Sequence, residues 1–243
     1  MKKTLMLILL LWAAAGLFAQ TSGNEASADR QSIFSVGINM LLLIDQRGVG
    51  SVTTSETVGG TTTVEEVSLN HLGLLGIWAF LDARFVELSI GFLTGITHWV
   101  EETTETTGNT TVSETIDTGG IFSSLDFSAM LKFPIGLPTG YIFPLLGVGY
   151  NVVLNTVQRF GGGEEYSFSN TSQFNTFRIQ AGIGMDYHIG GRREVRNWFV
   201  RVTILAHYIF AASHFQDAAS AATSGSHDGH WGFSFLFGLG RGL

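Results

Sequence analysis

Residues 231–243 have the sequence WGFSFLFGLGRGL, in which the odd positions are nearly all aromatic or aliphatic and the even positions are nearly all Gly or Ser. A repeat of two residues is that of a β-strand, because successive side chains point to opposite faces of a sheet. The stretch therefore predicts a strand with one apolar face and one face of small groups. Such a strand suits a wall with lipid on one side.

The other end of the chain has the features of an export signal. Lys2 and Lys3 precede the apolar run 5–11, and small residues lead to a plausible cleavage site after Ala19. An uncleaved membrane anchor is the alternative, but the apolar run is somewhat short for a membrane span. The predicted segments are a cleaved signal peptide (1–19), a periplasmic leader (20–31) and a single domain (32–243).

The composition narrows the class of protein. The chain has no Cys, which excludes a disulfide framework and a thiolate metal site. Its 31 Gly, 19 Phe and only 14% charged residues give a poor soluble surface but suit one that meets hydrocarbon. The net charge of −7 argues against a nucleic-acid partner.

Alternation of the same kind recurs along the chain and predicts eight strands. These are residues 33–44, 68–81, 85–99, 121–133, 141–154, 174–189, 197–210 and 231–243. The connections alternate between long (45–67, 100–120, 155–173 and 211–230) and short (82–84, 134–140 and 190–196). This organisation predicts an all-β fold, an eight-stranded antiparallel up-and-down transmembrane β-barrel.

Two other architectures agree less well with the sequence. A helical membrane protein needs about 18 consecutive apolar residues, and after the signal no such run is free of Pro and Gly. A soluble lipocalin-type barrel would have a charged exterior, whereas the less apolar face here is Gly, Ser and isolated charges. Aromatic residues near predicted strand ends agree with the membrane barrel, because they form girdles at bilayer interfaces. The predicted interface aromatics are Trp78, Tyr187, Trp198, Tyr208 and Trp231.

With this pattern the region 32–243 resembles the small OmpA/OmpX/OmpW-like barrels of Gram-negative-type outer membranes. Segments such as 132–134 and 181–187 are similar to spirochaete members of this class. The resemblance implies a monomer in the cell outer membrane, with outer-membrane lipid as its surroundings and extracellular or host molecules as possible partners of its loops. It implies no cofactor and no nucleic-acid partner.

Charged residues on the predicted inner faces are candidate functional residues. An eight-stranded barrel is barely wider inside than its side chains, so charges there must pair. The set could form a structural plug of ion pairs, or a gate or narrow polar pore. Antiparallel register predicts Asp186 opposite Arg201 and Glu87 opposite Lys132. The predicted lumen charge network is Glu87, Asp126, Lys132, Arg178, Asp186 and Arg201.

Within the long connections, residues 47–66, 100–119, 155–172 and 213–229 contain twelve acidic residues against Arg47 and Arg159. The low-complexity segment 101–118 is predicted to be solvated and mobile. Three functions stay open: a structural or surface-interaction protein with acidic extracellular loops, a narrow channel for small or hydrophobic solutes, and a barrel enzyme acting on membrane lipid. No compact group of nucleophile, base and acid is evident, so no enzymatic activity is predicted. A metal site is not predicted either, although the last long connection contains His214, Asp217, His227, Asp228 and His230.

Overall fold

A computed structural model describes most of the chain. The described residues are 34–41, 45–159, 165–168, 170–189, 198–222 and 224–243. The predicted signal peptide (1–19), the leader (20–31) and the short turn at 190–196 lie outside the described residues. No helix in the described part of the chain is long and apolar enough to cross a membrane.

Within these residues the chain forms twelve β-strands, one α-helix and one 3-10 helix. The strands are β1 (Ser35–Leu41), β2 (Asp45–Val58), β3 (Thr61–Ala83), β4 (Val86–Thr107), β5 (Thr110–Lys132), β6 (Ile135–Leu137), β7 (Gly140–Arg159), β8 (Glu165–Ser167), β9 (Thr176–His188), β10 (Trp198–Ile209), β11 (Gly225–Asp228) and β12 (His230–Gly242). The 3-10 helix is Thr171–Phe174 and the α-helix α1 is Ser213–Ala221.

The strands close into a ring. The antiparallel order is β1, β12, β10, β9, β7, β5, β4 and β3, and β1 also pairs with β3. β2 continues the wall where β1 ends, since it pairs with β3 along its length and with β12 at Gln46 and Phe233. β1 and β2 therefore occupy one position in an eight-position ring. The predicted all-β, eight-stranded antiparallel barrel is confirmed.

The exterior carries a belt of apolar side chains. Along β4 the exposed residues alternate from Val86 to Ile96, a span that matches the nine to eleven residues of a tilted strand crossing a bilayer. The same alternation puts small, polar or charged residues inside. The belt includes Val36, Ile38, Met40, Ile77, Leu81, Leu88, Ile90, Phe92, Ile121, Phe127, Leu131, Val148, Ile179, Ile183, Met185, Ile204, Phe233, Phe237 and Leu239.

A bulge in β3 changes which residues face the interior. The register with β4 shifts between Gly73 and Leu75, so that even-numbered residues of β3 point inward on the C-terminal side of the bulge. Trp78 is only 4% exposed and lies against Gly91, where a Cβ atom would come within 2.1 Å of the indole ring. The assignment of Trp78 to the interface aromatics is therefore wrong, and Phe80 likewise faces the interior. The alternation in the sequence does not reveal this change in which positions of β3 face inward.

The four remaining aromatics of that set lie on the outside. Tyr187 and Trp198 are about half exposed and belong to adjacent strands near the end where β9 stops and β10 begins. Tyr208 contacts Trp231 at the opposite end of β10, with 5.4 Å between ring centroids. They lie at the two ends of the belt, and their role as interfacial aromatic girdles stays a prediction.

The first two long connections are not loops. Residues 45–67 and 100–120 belong to β-hairpins that extend past the apolar belt and turn at Gly59–Gly60 and Gly108–Asn109. The prediction that 101–118 is a mobile segment is therefore wrong. Thr and Val favour the pleated backbone, and Gly108 supplies the positive φ that the tight turn needs.

A hydrogen bond between the hydroxyls of Thr61 and Thr107, at 2.7 Å, links the two hairpins. We call this four-stranded extension the outer sheet. It consists of residues 51–58, 61–70, 98–107 and 110–118.

Candidate functional site

Arg201 is the centre of an ion cluster inside the barrel. It lies on β10 directly opposite Asp186 on β9, which is the register that the sequence predicts. Its Nε and one terminal nitrogen reach the two carboxylate oxygens of Asp186 at 2.6 and 2.7 Å. This two-point contact fixes the guanidinium plane as well as neutralising its charge.

Two further carboxylates and one ammonium complete what we call the lower cluster. Arg201 also donates to Glu87 at 2.5 Å and to Asp82 at 2.9 Å. Lys132 bonds Asp82 and lies 3.4 Å from Asp186. All five residues are at most 5% exposed, so three acids and two bases share a space without bulk water. With every group ionised, the cluster would carry one negative charge.

The pairing of Glu87 with Lys132 is wrong. Glu87 lies opposite Met130, two residues away from the predicted partner. The register of β4 and β5 is fixed by the two-residue turn at their far end, where Thr107 pairs with Thr110, and the sequence-based prediction did not place that turn. Glu87 bonds Arg201 instead, and Lys132 reaches acids on other strands.

Asp82 was missing from the predicted network because residues 82–84 were placed in a turn. β3 continues to Ala83, and Asp82 lies directly opposite Glu87 on the inner face. Two adjacent carboxylates are unfavourable unless a cation lies between them. Arg201 contacts both, which explains how the pair is tolerated.

Aromatic rings surround the cations of the lower cluster. The Arg201 guanidinium carbon lies 4.2 Å from the ring centroid of Phe80, and the Lys132 nitrogen lies 4.0 Å from that of Phe143. Cation–π contacts of this kind are stronger when they are desolvated. The inward turn of Phe80 below the bulge thus contributes directly to the cluster.

An upper cluster lies nearer to the outer sheet. Arg47 bonds Asp45 at 2.7 Å and lies 2.5 Å from Asp126, and Arg178 bonds Asp126 at 2.5 Å. Two acids and two bases give no net charge. Asp45 and Arg47 were not predicted to face the interior, because residues 45–67 were placed in a loop. The lengthening of β2 brings them inside.

A cavity of about 20 Å³ separates the two clusters, and Asn39, Glu87, Arg178 and His207 are among its lining residues. A volume of this size has room for about one water molecule. The structure therefore has polar side chains packed through the middle of the barrel. A solute could pass only if these ion pairs moved.

An apolar cap covers the interior where the outer sheet begins. Phe174 of the 3-10 helix and Phe215 of α1 are both fully buried, and Leu69 of β3 belongs to the same cluster. Trp99 lies 6.2 Å from Phe215 between ring centroids. The cap is thus a second core, built by the connections rather than by the ring alone.

His214, from the His-rich connection, contributes to this cap. The ring of His214 contacts Phe174 and Phe215, each with 5.2 Å between centroids, and this burial lowers the pKa of His214 from its ordinary value. A neutral ring is the form that suits an apolar cap. Across the described residues, no three His, Asp or Glu side chains are grouped so that they could hold a metal ion.

The outer sheet carries acidic residues and has neither Lys nor Arg. Cross-strand partners share a face, and odd-numbered residues of β3, such as Leu69, face inward. On this basis the inner face carries Glu56, Glu65, Glu101, Glu105 and Glu114. The outer face carries Glu66, Glu102 and Asp117, with Glu66 directly opposite Glu102.

The closed ring, the apolar belt and the ion-paired interior together define an eight-stranded β-barrel of the membrane type with a filled lumen. No protein-family model matches the chain, and no curated protein is similar to it at a significant level.

Solved structures with some similarity include two barrels. The outer membrane protein OprG from Pseudomonas aeruginosa is 13% identical, with 88% of this chain and 98% of that chain covered and a TM-score of 0.38. The translocator domain of the autotransporter NalP from Neisseria meningitidis is 7% identical, with 100% and 98% covered and a TM-score of 0.23. Similarity at this level supports no inference about the chain, and the fold is established by the pairing of its strands. The similarity to spirochaete proteins stays a prediction.

Proposed function

We propose that this protein is an integral, monomeric barrel of the outer membrane whose function is surface interaction through the outer sheet. The apolar belt supports the membrane location, because side chains such as Ile90 and Ile183 are about half exposed and would otherwise face water. A closed barrel satisfies its backbone hydrogen bonds internally, as hydrocarbon requires. Export through a cleaved signal peptide is part of the proposal.

The outer sheet is the single observation that carries the interaction role. From Asn70 to Thr61, β3 extends about 30 Å along the strand beyond the belt, at roughly 3.3 Å per residue. The sheet holds eight acidic residues and neither Lys nor Arg, and its one histidine, His98, lies 2.8 Å from Asp117. A field of one sign attracts ligands of the other sign, so the partner is expected to be cationic.

A channel is the second candidate, and the interior disfavours it. Both ion clusters and the apolar cap lie across the path that a solute would take, and the cavity between the clusters has room for about one water molecule. No catalytic activity is proposed for the barrel either, because its buried charged side chains form ion pairs with one another.

Two measurements on the refolded protein test the proposal. In planar bilayers the barrel should give no steady conductance, and in lipid nanodiscs it should bind a fluorescent oligolysine with an affinity that falls as salt is raised. A variant with Gln at the five inner-face glutamates should lose most of this binding. The matched control places Gln at Glu66 and Glu102 of the other face. A steady conductance, or oligolysine binding that none of these substitutions affects, would overturn the proposal.

A further inference from the structure

The outer part of β5 is paired on one side only. Residues 119–132 pair with both β4 and β7, whereas 110–118 pair with β4 alone among the residues that the structure describes. From Thr110 to Asp117 every residue is exposed. This segment is therefore an open edge of the sheet, and a second strand could add to it.

The hydrogen-bond pattern identifies which backbone groups are available there. Lys132 donates its backbone N–H to Phe85 on the β4 side, and the pairing of β4 with β5 has no register shift. In an antiparallel pair, alternate residues point their N–H and C=O groups to the same neighbour. Even-numbered residues of β5 therefore bond β4. The N–H groups of Thr111, Ser113, Thr115 and Asp117 point outward.

This edge lacks three of the usual protections against strand addition. Natural edges are often blocked by Lys, Pro or a bulge, and charged side chains protect them as well. Residues 110–118 have no Lys or Pro, the pairing with β4 is regular, and Thr, Val and Ile make up six of the nine residues. Such a segment has the preferred composition of a strand. It offers a straight row of donors and acceptors to an incoming strand.

The charges of the sheet decide which strand would fit. A second copy of this chain would bring Glu114 and Asp117 against the same acidic residues, and like charges across a sheet are destabilising. A strand with Lys or Arg at alternate positions would place its cations beside Glu114 on the inner face. There it would also cover the exposed side chains of Val112 and Ile116.

We propose that the open edge of β5 binds an extended cationic peptide by strand addition. The inference rests on the proposed function, which supplies the cationic partner, and adds the mode and the place of binding. Backbone hydrogen bonds to the outward amides give affinity, and the acidic residues select the cationic side chains. The peptide becomes an additional strand of the outer sheet.

Proline and alanine at the same position test the mode of binding. Ser113→Pro removes one outward N–H and puts a ring on the edge, which an edge strand tolerates, while Ser113→Ala keeps the N–H. The probe is a peptide of about seven residues in which Lys alternates with Thr, titrated against the full barrel in nanodiscs. Ser113→Pro should weaken binding about tenfold or more relative to Ser113→Ala, since at least one backbone bond is lost.

Hydrogen exchange on the unmodified protein gives a second test that needs no substitution. The peptide should slow exchange at Thr111, Ser113, Thr115 and Asp117 and leave the amides of 98–107 unchanged. Equal binding by the Pro and Ala variants, or no protection at the four amides, would overturn strand addition. If binding were then still lost in the five-Gln variant, the acidic surface would remain as the binding site for a cationic partner, without strand addition. If neither the Ser113→Pro variant nor the five-Gln variant bound the peptide more weakly, both proposals would be wrong.

Discussion

Arg201→Met should destabilise the barrel more than any other single substitution of its charged residues. The side chain is fully buried and bonds three carboxylates at 2.5–2.9 Å, so its removal leaves Asp82, Glu87 and Asp186 with Lys132 as the remaining cation. Leaving a buried charge uncompensated typically costs about 3–5 kcal/mol. Met retains much of the side-chain volume of Arg, so the loss of stability reports mainly the loss of the charge. Arg241→Met is the control, because Arg241 is exposed and should change stability by less than about 1 kcal/mol.

The sign of a second substitution makes this prediction sharper. Glu87→Gln alone should be mildly destabilising, because it weakens the 2.5 Å contact with Arg201. In the Arg201→Met background the same change should stabilise the barrel by about 1–3 kcal/mol, because it removes an acid that has lost its partner. Urea unfolding of the four proteins in lipid vesicles measures both effects. Losses that add to within about 0.5 kcal/mol would refute the view that Arg201 neutralises Glu87.

Three further predictions concern other parts of the barrel. In variants with a single Trp, brominated lipid should quench Trp198 and Trp231 but not Trp78, and quenching of Trp78 would contradict its inward orientation. Phe215→Ala should speed proteolysis within 213–221 while leaving the urea midpoint of the barrel within experimental error, since Phe215 holds α1 in the cap; a large shift of the midpoint would show that the cap and the ring unfold together. An epitope inserted at Gly108 should be labelled on intact cells, because the turn is at the tip of the outer sheet; labelling only after permeabilisation would reverse the proposed orientation.

The strand pattern was predictable because alternation is a local property. Each belt strand puts apolar side chains outside at every second position, and the pairing of Asp186 with Arg201 followed from one short turn. The register of Glu87 was not predictable in this way, because it depends on a turn about twenty residues away. Trp78 was misassigned since a bulge leaves no clear mark in the sequence.

The strands of the outer sheet are not predictable from the sequence for a different reason. Its Thr- and Glu-rich residues resemble the composition of a flexible segment, and neither face has the strict apolar alternation of the belt. Pairing with neighbouring strands decides that they are extended, and pairing is a tertiary property. The inward positions of Asp45 and Arg47 are not predictable for the same reason, because they depend on β2 beginning at Asp45.

The seam between β1 and β12 also determines when the barrel can close. Ser35 pairs with Gly242, and Leu243 donates its backbone N–H to Phe34, so the wall is completed by residues from opposite ends of the described chain. Contacts between distant residues slow folding, because the intervening chain must be ordered before they form. Until that last pairing forms, β1 and β12 each present an unpaired edge. A nascent chain would need to be shielded from aggregation throughout its transit to the membrane.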